Sequence, residues 1–311
     1  TVSQGTRASL AARCSIRLPA IVAEEKSADG TVKFLLRLAD GECVETVLIP
    51  SESRDSLPRM TQCLSCQVGC AMACTFCATG TMGFVRNMTM GEILGQVFVA
   101  RQYLGDGQES PGLRNLVFMG MGEPLLNYRE VMRSLEVLNH AMGFNFSPRR
   151  ITVSTCGLRN GLLELGESGL AYLAVSLHAP NQELREAIMP KAERWPLEEL
   201  ISTLASYPLK TRERLTFEYL LLGGVNDQPE HARALARLMA RVKAKLNLIV
   251  YNPVPGAPYA APRQEDVDAF LDVLHRKHIT AIIRKSKGQD IKAACGQLRA
   301  EVHAGKKVRP A

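Results

Sequence analysis

The sequence contains no apolar run that approaches the roughly 20 residues needed to cross a bilayer, so it does not predict a membrane protein. Residues 1–7 lack the apolar core of a signal peptide, and the chain has no internal repeat and no long low-complexity stretch. With 311 residues, 46% of them hydrophobic, the chain is long enough to bury a large core. We therefore expect a globular cytoplasmic protein without a membrane partner, with an organelle as the alternative location.

Nine cysteines are present, and five of them fall between positions 63 and 77. Such crowding suits a reducing compartment better than a disulfide-stapled scaffold. The net charge is +7 and the pI is about 9.0. This charge permits a polyanionic partner such as RNA but does not require one, because a basic pI often reflects only a solvated surface.

The first 60 residues differ in pattern from the rest. Segments 31–38 and 42–50 are typical of β-strands, and Asp40-Gly41 between them is a hairpin turn signal. Segment 51–60, rich in serine and proline, indicates a linker. We predict an N-terminal extension with a β-hairpin over residues 1–60, a main domain over 61–300 and a basic tail over 301–311.

The main domain alternates short apolar segments with longer helical ones. Predicted strands cover 64–68, 116–119, 151–154, 172–177, 215–222, 246–250 and 280–283. Predicted helices cover 90–103, 128–142, 158–169, 229–244 and 265–275. This alternation predicts an α/β fold with a parallel sheet, arranged as a full or partial (β/α) barrel. In such barrels the chemistry lies at the C-terminal ends of the strands.

The most informative motif is a Cys-x3-Cys-x2-Cys loop formed by Cys70, Cys74 and Cys77. Three thiolates on one tight turn can hold three irons of a [4Fe–4S] cluster and leave the fourth iron free for a substrate. This arrangement is the signature of radical S-adenosylmethionine (SAM) enzymes. An aromatic residue before the last cysteine, here Phe76, commonly packs against the SAM adenine in such loops.

A structural zinc site is the alternative for the cysteine-rich segment. Cys63 and Cys66 form one Cys-x2-Cys pair, and Cys74 and Cys77 form a second. Only seven residues separate the pairs, whereas zinc ribbons usually leave about 15–20. A zinc site also leaves Cys70 unexplained, so the spacing favours the iron–sulfur cluster.

Other predicted strand ends carry further motifs in a fixed order. They read Gly-Met-Gly-Glu-Pro at 120–124, Ser-Thr-Cys-Gly at 154–157, Ser-Leu-His-Ala-Pro at 176–180, Asn-Pro-Val-Pro-Gly at 252–256 and Ala-Ala-Cys-Gly-Gln-Leu at 293–298. With Gln-Val-Gly-Cys at 67–70, this series resembles the RlmN/Cfr family of radical SAM RNA methyltransferases from about residue 45 to residue 298. The resemblance implies a radical SAM partial (β/α) barrel, a [4Fe–4S] cluster held by Cys70, Cys74 and Cys77, and two SAM molecules per turnover.

The resemblance also implies a SAM site. Its residues would be Gly122, Glu123, Ser154, Ser176, Leu177, His178 and Asn252, with Phe76 against the adenine. A carboxylate and a backbone carbonyl after a strand suit the SAM ammonium group. Taken singly, these positions are equally compatible with a turn, a helix cap or a structural histidine.

Three further residues carry the chemistry that the family resemblance implies, which is methylation of adenosine C2 in 23S rRNA, tRNA or both. The Cys295 thiolate takes a methyl group from a first SAM, and a radical formed from a second SAM activates that methyl group for addition to C2. Glu45 removes the C2 proton, and Cys63 attacks the Cys295 sulfur to release the product. For Glu45 the alternative is an ordinary solvated residue on the hairpin.

The resemblance also sets expectations for partners. The enzyme would receive electrons from a flavodoxin or a ferredoxin, and we expect a monomer. Phosphate contacts are expected from Arg86, Arg149, Arg150, Arg284, Lys285, Lys287 and Lys292. Two alternatives remain: a Cfr-type enzyme specific for C8, and a non-catalytic RNA-binding protein that carries zinc or a cluster. Cys66, where the family usually has serine, is either inert or a competitor of Cys63.

Overall fold

A computed structural model describes residues 2–14, 17–51, 59–105, 112–159 and 161–300. Its strands are β1 (Ala20–Lys26), β2 (Val32–Arg37), β3 (Cys43–Ser51), β4 (Arg59–Cys63), β5 (Gln67–Gly69), β6 (Phe84–Asn87), β7 (Gly112–Phe118), β8 (Ile151–Thr155), β9 (Tyr172–Ser176), β10 (Leu215–Leu221), β11 (Ala244–Val250) and β12 (Ala281–Arg284). Its α-helices are α1 (Gln4–Arg13), α2 (Ala78–Thr81), α3 (Met90–Leu104), α4 (Tyr128–Asn139), α5 (Leu162–Ser168), α6 (Gln182–Ile188), α7 (Leu197–Ala205), α8 (Pro229–Met239) and α9 (Gln264–Arg276).

One large sheet organises the chain, with strand order β1-β2-β3-β4-β7-β8-β9-β10-β11-β12. From β4 to β12 each neighbouring pair is parallel, and helices connect most of these strands. The prediction of an α/β fold with a parallel sheet is confirmed. Within the described residues β12 does not pair with β1, which fits a partial barrel better than a closed one.

The predicted hairpin is confirmed, since β2 and β3 pair antiparallel from Val32 with Leu48 to Arg37 with Cys43. At its turn, Glu42 N–H donates to the Asp40 carboxylate (3.1 Å) and Gly41 has a φ of +94°. Only glycine adopts that backbone conformation readily. β3 also pairs with β4, so the hairpin extends the main sheet rather than standing apart from it.

The strand predicted at 64–68 is wrong in its bounds. The sheet strand β4 ends at Cys63, and residues 67–69 instead form β5, which pairs antiparallel with β6. The intervening backbone turns toward the end of β7, where Cys66 N–H donates to Met121 O (2.9 Å). The apolar side chains of Leu64 and Val68 are nevertheless buried, which is why the segment resembled a strand.

The remaining differences lie mainly at the ends of elements. The helix predicted at 229–244 ends at Met239, and β11 begins at Ala244. Helices α1, α6 and α7 and strand β1 were not predicted. The predicted linker 51–60 overlaps β3 at Ser51 and β4 at its far end, while residues 52–58 and the predicted tail 301–311 lie outside the described residues.

After β12 the chain returns across the C-terminal ends of the strands as the C-terminal segment, residues 285–300. Gly288 N–H donates to the Asp29 carboxylate (2.9 Å) beside the hairpin. Farther along, Gly296 O accepts from Ala78 N–H (2.7 Å) directly after the cysteine loop. The segment therefore joins the hairpin to the cysteine loop. Among the described residues, no helix is both long and apolar enough to cross a membrane.

Candidate active site

The cysteine loop begins where β5 ends. Gly69 has a φ of +73°, and a Cβ there would come within 2.0 Å of Gly83 O, so a side chain would not fit. Cys70 N–H donates to Gly83 O (2.8 Å), and Cys77 N–H donates to Cys74 O (3.2 Å). These bonds fold residues 70–77 into a tight turn that ends at α2. All three loop thiols are free and line one cavity.

That cavity, which we call the cofactor cavity, has a volume of about 140 Å³. The structure brings most of the predicted site residues to its wall: Cys70, Cys74, Phe76, Cys77, Gly122, Glu123, Ser154, Ser176, His178 and Cys295. They come from the ends of four strands, β5, β7, β8 and β9, and from the C-terminal segment. Leu177 is fully buried behind the wall, where its N–H donates to Glu218 O (3.0 Å). Predicted residues that are distant in sequence therefore meet at the expected end of the sheet.

Glu123 is held rigidly at one side of this cavity. Its carboxylate accepts from Thr155 Oγ1 (2.6 Å), Cys156 N–H (2.8 Å) and Leu125 N–H (3.0 Å). Burial raises the pKa of Glu123 above its ordinary value, although these hydrogen bonds act in the opposite direction. Next to it, Gly122 has a φ of +103° and lies against Gln67 too closely to admit a side chain. A fixed carboxylate beside an exposed backbone suits an ammonium ligand.

His178 is a neutral wall residue. Its Nδ1 accepts from Leu220 N–H (3.1 Å), and its ring meets Phe76 edge-on with centroids 5.1 Å apart. Burial, with the nearby charge of Arg185, lowers the pKa of His178 to about 3. The ring therefore carries no charge at neutral pH, so both it and Phe76 offer an uncharged surface to an adenine.

Among the described residues, several buried side chains have polar atoms without a hydrogen-bond partner, and two of these side chains are next to residues of the cofactor cavity. Asn252 Oδ1 accepts from Gln289 Nε2 (2.6 Å), but its buried Nδ2 donates to nothing. Arg185 is fully buried and donates from Nη2 to Cys156 O (2.5 Å), while its Nε and Nη1 are unpaired. Unpaired buried donors are rare and point to a missing acceptor. Neither residue is among those that line the cofactor cavity, so the feature that fits a cluster and SAM is the set of three loop thiols beside the Glu123 carboxylate.

Arg185, Glu218 and Arg284 were not predicted as site residues. Arg185 lies in α6, which the sequence did not reveal. Glu218 is buried in β10, where it accepts from Ser154 Oγ (3.3 Å) and from Arg284 Nη1 (3.3 Å). Arg284 was among the expected phosphate contacts, but its guanidinium faces inward. The sequence offered one signal for the pair of Glu218 and Arg284, which is the presence of a glutamate in the mostly apolar strand β10.

A second, smaller cavity of about 80 Å³ adjoins the first, and we call it the thiol cavity. Cys63, Met119, Arg284 and Cys295 are among its lining residues. Cys295 lines both cavities. Burial, with a contribution from Cys295, raises the pKa of Cys63 to about 12. The two predicted redox cysteines are therefore neighbours, and Cys63 is a neutral thiol in the free protein.

Cys66 lies in different surroundings. Its thiol is buried and lines neither cavity, and its carbonyl accepts from Asn127 Nδ2 (2.7 Å) and Met88 N–H (3.1 Å). Burial, with Glu123 and Cys70 nearby, raises its pKa well above the ordinary value. Cys63 and Cys66 thus point to different sides of the chain. In the part of the chain that is described, no three His, Cys, Asp or Glu side chains converge closely enough for a single metal ion.

Glu45 is buried rather than solvated, with 5% of its surface exposed. It lines a cavity of about 690 Å³ between the hairpin and the C-terminal segment, which we call the hairpin cavity. Its carboxylate pairs with Lys33 Nζ (3.3 Å) and accepts from Arg299 N–H (2.8 Å). Val47, two residues on, is paired with Cys63, so Glu45 and Cys63 lie on the same face of the sheet.

Besides Arg284, a second expected RNA contact has partners within the protein. Arg86 pairs with Asp40 (2.6 Å) and with Glu92 (2.9 Å), and so ties β6 to the hairpin turn and to α3. The other expected phosphate contacts stay predictions.

Comparison with known proteins agrees with this architecture. The sequence profile of the Radical SAM superfamily matches residues 64–236. The crystal structure of a radical SAM methyltransferase from Sphaerobacter thermophilus superimposes with a TM-score of 0.89 at 45% sequence identity, and covers 97% of this chain and 87% of that chain. A parallel sheet with this cysteine loop and cofactor cavity at its C-terminal edge is that of a radical SAM enzyme.

Curated relatives narrow the class. The dual-specificity RNA methyltransferase RlmN of Nitratidesulfovibrio vulgaris (strain DP4) is 71% identical over 300 residues, which are 96% of this chain and 82% of the relative. The RlmN of Anaeromyxobacter sp. (strain Fw109-5) is 47% identical over 313 residues, 100% of this chain and 82% of the relative. The chain belongs to the RlmN family. It is a radical SAM RNA methyltransferase that uses a [4Fe–4S] cluster and SAM, which decides against a non-catalytic zinc protein.

Proposed function

We propose that this enzyme methylates C2 of adenosine in RNA and that Cys295 carries the methyl group. The observation that supports this most is the position of Cys295. It lies at the junction of the cofactor cavity and the thiol cavity, beside the cysteine loop on one side and Cys63 on the other. A carrier thiol needs access both to a methyl donor and to the thiol that later releases it.

The cofactors would be held by the residues of the cofactor cavity. Cys70, Cys74 and Cys77 would ligate three irons of the cluster. Gly122, Glu123, Ser154, Ser176, Leu177, His178 and Asn252 would bind SAM, with Phe76 against its adenine. When bound, these cofactors supply the methyl group and a 5′-deoxyadenosyl radical. The protein orients both toward Cys295 and excludes water.

The protein residues then act in sequence. The Cys295 thiolate attacks the methyl carbon of SAM, the bond from that carbon to the sulfonium sulfur breaks, S-adenosylhomocysteine leaves and Cys295 becomes a thioether. One hydrogen atom of that methyl group passes to the 5′-deoxyadenosyl radical, and the carbon left behind bonds to C2. The adduct then gives up one electron, for which the cluster would be the acceptor, and Glu45 accepts the C2 proton. The Cys63 thiolate attacks the Cys295 sulfur, which forms the S–S bond and breaks the bond between that sulfur and the transferred carbon. The electron pair of the broken bond stays with the carbon, which takes up a proton and becomes the new methyl group.

The relatives' names and identities support C2 rather than the C8 specificity of Cfr-type enzymes. The description of those relatives as dual-specificity enzymes favours both 23S rRNA and tRNA as substrates here. We further propose a flavodoxin or ferredoxin as electron donor, a monomer, and a cytoplasmic location. The basic pI of about 9.0 suits an RNA partner.

Product analysis with reconstituted enzyme tests the proposal. Enzyme purified anaerobically with SAM should show one added methyl group on the peptide that contains Cys295, by mass spectrometry. With a reductant and either RNA it should form 2-methyladenosine. Cys295→Ala should keep its iron and form no methyladenosine. Formation of 8-methyladenosine would establish the Cfr-type alternative, and methylation by Cys295→Ala would refute the carrier role.

A further inference from the structure

We infer that Lys33 is a positioning residue for Glu45, which it holds ionised and oriented so that the carboxylate can accept the C2 proton. This inference rests on the proposed function, because it assumes that Glu45 is the base of that reaction. Lys33 is not part of any motif singled out in the sequence. It lies on β2, in the N-terminal extension, and reaches the site only through the strand pairing of the hairpin.

The contacts of Lys33 fix its ammonium group beside Glu45. Lys33 is buried, although lysine almost never is unless it is paired. Its Nζ donates to Ile291 O (2.7 Å) and lies 3.3 Å from Glu45 Oε1. A third contact, 3.6 Å, joins it to the half-exposed Glu25 on β1. The ammonium group is thus held by three elements: β1, β3 and the C-terminal segment.

The strand register brings Lys33 to the correct face. Val47 of β3 is paired with Lys33 of β2 on one side and with Cys63 of β4 on the other. Residues paired across neighbouring strands project to the same face, and so do residues two positions apart on one strand. Lys33, Glu45 and Cys63 therefore share one face of the sheet, toward the C-terminal segment.

Burial alone would leave Glu45 protonated at a higher pH than an exposed carboxyl. Burial raises the pKa of Glu45. The positive charge of Lys33 and the hydrogen bond from Arg299 N–H lower it, and so oppose the effect of burial. The charged residues that line the hairpin cavity are Glu25, Lys33, Arg37, Asp290, Lys292 and Arg299. Among these, Lys33 forms an ion pair with Glu45 (3.3 Å). Removal of its charge would take the paired cation away from a buried carboxylate, which is strongly unfavourable.

The consequence for the reaction concerns the proton-transfer step alone. A base must be ionised before it can accept a proton, so any protonated fraction of Glu45 is inactive. The C2 proton passes to the Glu45 carboxylate. Loss of Lys33 should therefore slow release of the RNA adduct but not methylation of Cys295, which occurs before RNA is attached.

The test measures release of the covalent RNA adduct as a function of pH in single-turnover reactions with full-length, cluster-loaded enzyme. The variants are Lys33→Met and Lys33→Gln, with Lys33→Arg as the charge-conserving variant. Lys26→Met is the matched control. Lys26 lies on β1, the strand next to β2, and pairs with Glu24 of the same strand (3.0 Å), but the Lys26 side chain is 66% exposed. Iron content and Cys295 methylation report on the fold of each variant.

We expect Lys33→Met and Lys33→Gln to slow release about tenfold or more at pH 7 and to shift the midpoint of the pH profile upward by about one pH unit or more. Lys33→Arg and Lys26→Met should keep the wild-type midpoint. A merely structural role would lower the rate at every pH without moving the midpoint. Release also needs the Cys63 thiolate, whose pKa is raised to about 12, so the midpoint that belongs to Glu45 is the one that Glu45→Gln abolishes. In the wild type, a value of that midpoint above about pH 8 would overturn the inference whatever the variants do, because Lys33 would then not hold Glu45 ionised.

Glu45→Gln separates failure of this inference from failure of the proposed function. If Glu45→Gln releases RNA as fast as the wild type, Glu45 is not the base and the proposed role is refuted. If Glu45→Gln accumulates adduct while Lys33→Met matches Lys26→Met in rate and midpoint, the role of Glu45 stands and the inference about Lys33 is refuted. Adduct accumulation in both Glu45→Gln and Lys33→Met, with an upward midpoint shift only in the latter, supports both.

Discussion

Replacement of Cys63 by alanine, with Cys66→Ala as its partner variant, tests the release step most directly. The two thiols are three residues apart and both are buried, with 6% and 2% of their surfaces exposed. Only Cys63 shares a cavity with Cys295. The proposed mechanism therefore requires Cys63 for release and assigns no step to Cys66.

The expected loss of stability is similar for the two variants. Each substitution removes one sulfur atom from a closely packed site, which costs roughly 1–2 kcal/mol. A domain of this size is stable by about 5–15 kcal/mol, so both variants should fold and bind iron. Release, by contrast, should fall roughly 100-fold or more in Cys63→Ala, the low end of what loss of a positioned catalytic group removes. Any large difference between the variants must therefore come from the chemistry.

The assay follows the covalent adduct between RNA and Cys295 on a denaturing gel, where nuclease treatment should abolish the shifted band. Cys63→Ala should accumulate the adduct, and Cys66→Ala should turn over like the wild type. Adduct in Cys66→Ala but not in Cys63→Ala would mean that the roles are exchanged. Absence of adduct from both would refute the release mechanism proposed for Cys63.

Two further predictions concern the cluster and the contact between the hairpin and the C-terminal segment. Cys74→Ala should lose most of its iron in anaerobic metal analysis. The control is Cys43→Ala, which removes a buried thiol on the hairpin and should keep its iron. Full iron content in Cys74→Ala would contradict the ligand assignment. Although burial acts in the opposite direction, hydrogen bonds from Thr31 and Gly288 lower the pKa of Asp29 to about 2. Its carboxylate therefore stabilises the fold above the ordinary pKa of about 3.9, and this contribution is lost as pH falls through about 2. Asp29→Asn should lower the melting temperature at pH 7, and the difference from wild type should shrink as the pH approaches 2; a difference independent of pH would refute this account.

The sequence predicted which residues meet at the site better than it predicted the bounds of the strands that carry them. The cysteine loop and the strand-end motifs are local patterns, and a parallel α/β sheet brings its strand ends together at one edge. For that reason Glu123, Ser154 and His178 could be placed in one cavity without knowledge of any distance. The bounds of β4 could not, because Leu64 and Val68 are as buried as strand residues although their backbone has left the sheet.

Pairs formed across the sheet were beyond sequence reasoning. Glu218 and Arg284 are separated by 66 positions and meet only because β10, β11 and β12 lie side by side. Lys33 resembled any solvated strand lysine until its contacts with Glu45 and Ile291 became visible. β1 escaped prediction because its exposed face and its irregular pairing near Ile21 obscure the alternation that marks a strand.

The C-terminal segment contacts both parts of the proposed site, the hairpin and the cysteine loop. On one side its residues contact the hairpin through Ile291 O and Arg299 N–H, which hold Lys33 and Glu45. On the other side Leu298 O accepts from Thr79 Oγ1 (2.6 Å), directly after the cysteine loop. Cys295 lies between these contacts. The position of the proposed methyl carrier is therefore set jointly by the loop that would hold the cluster and by the hairpin that carries the proposed base, although the two are far apart in sequence.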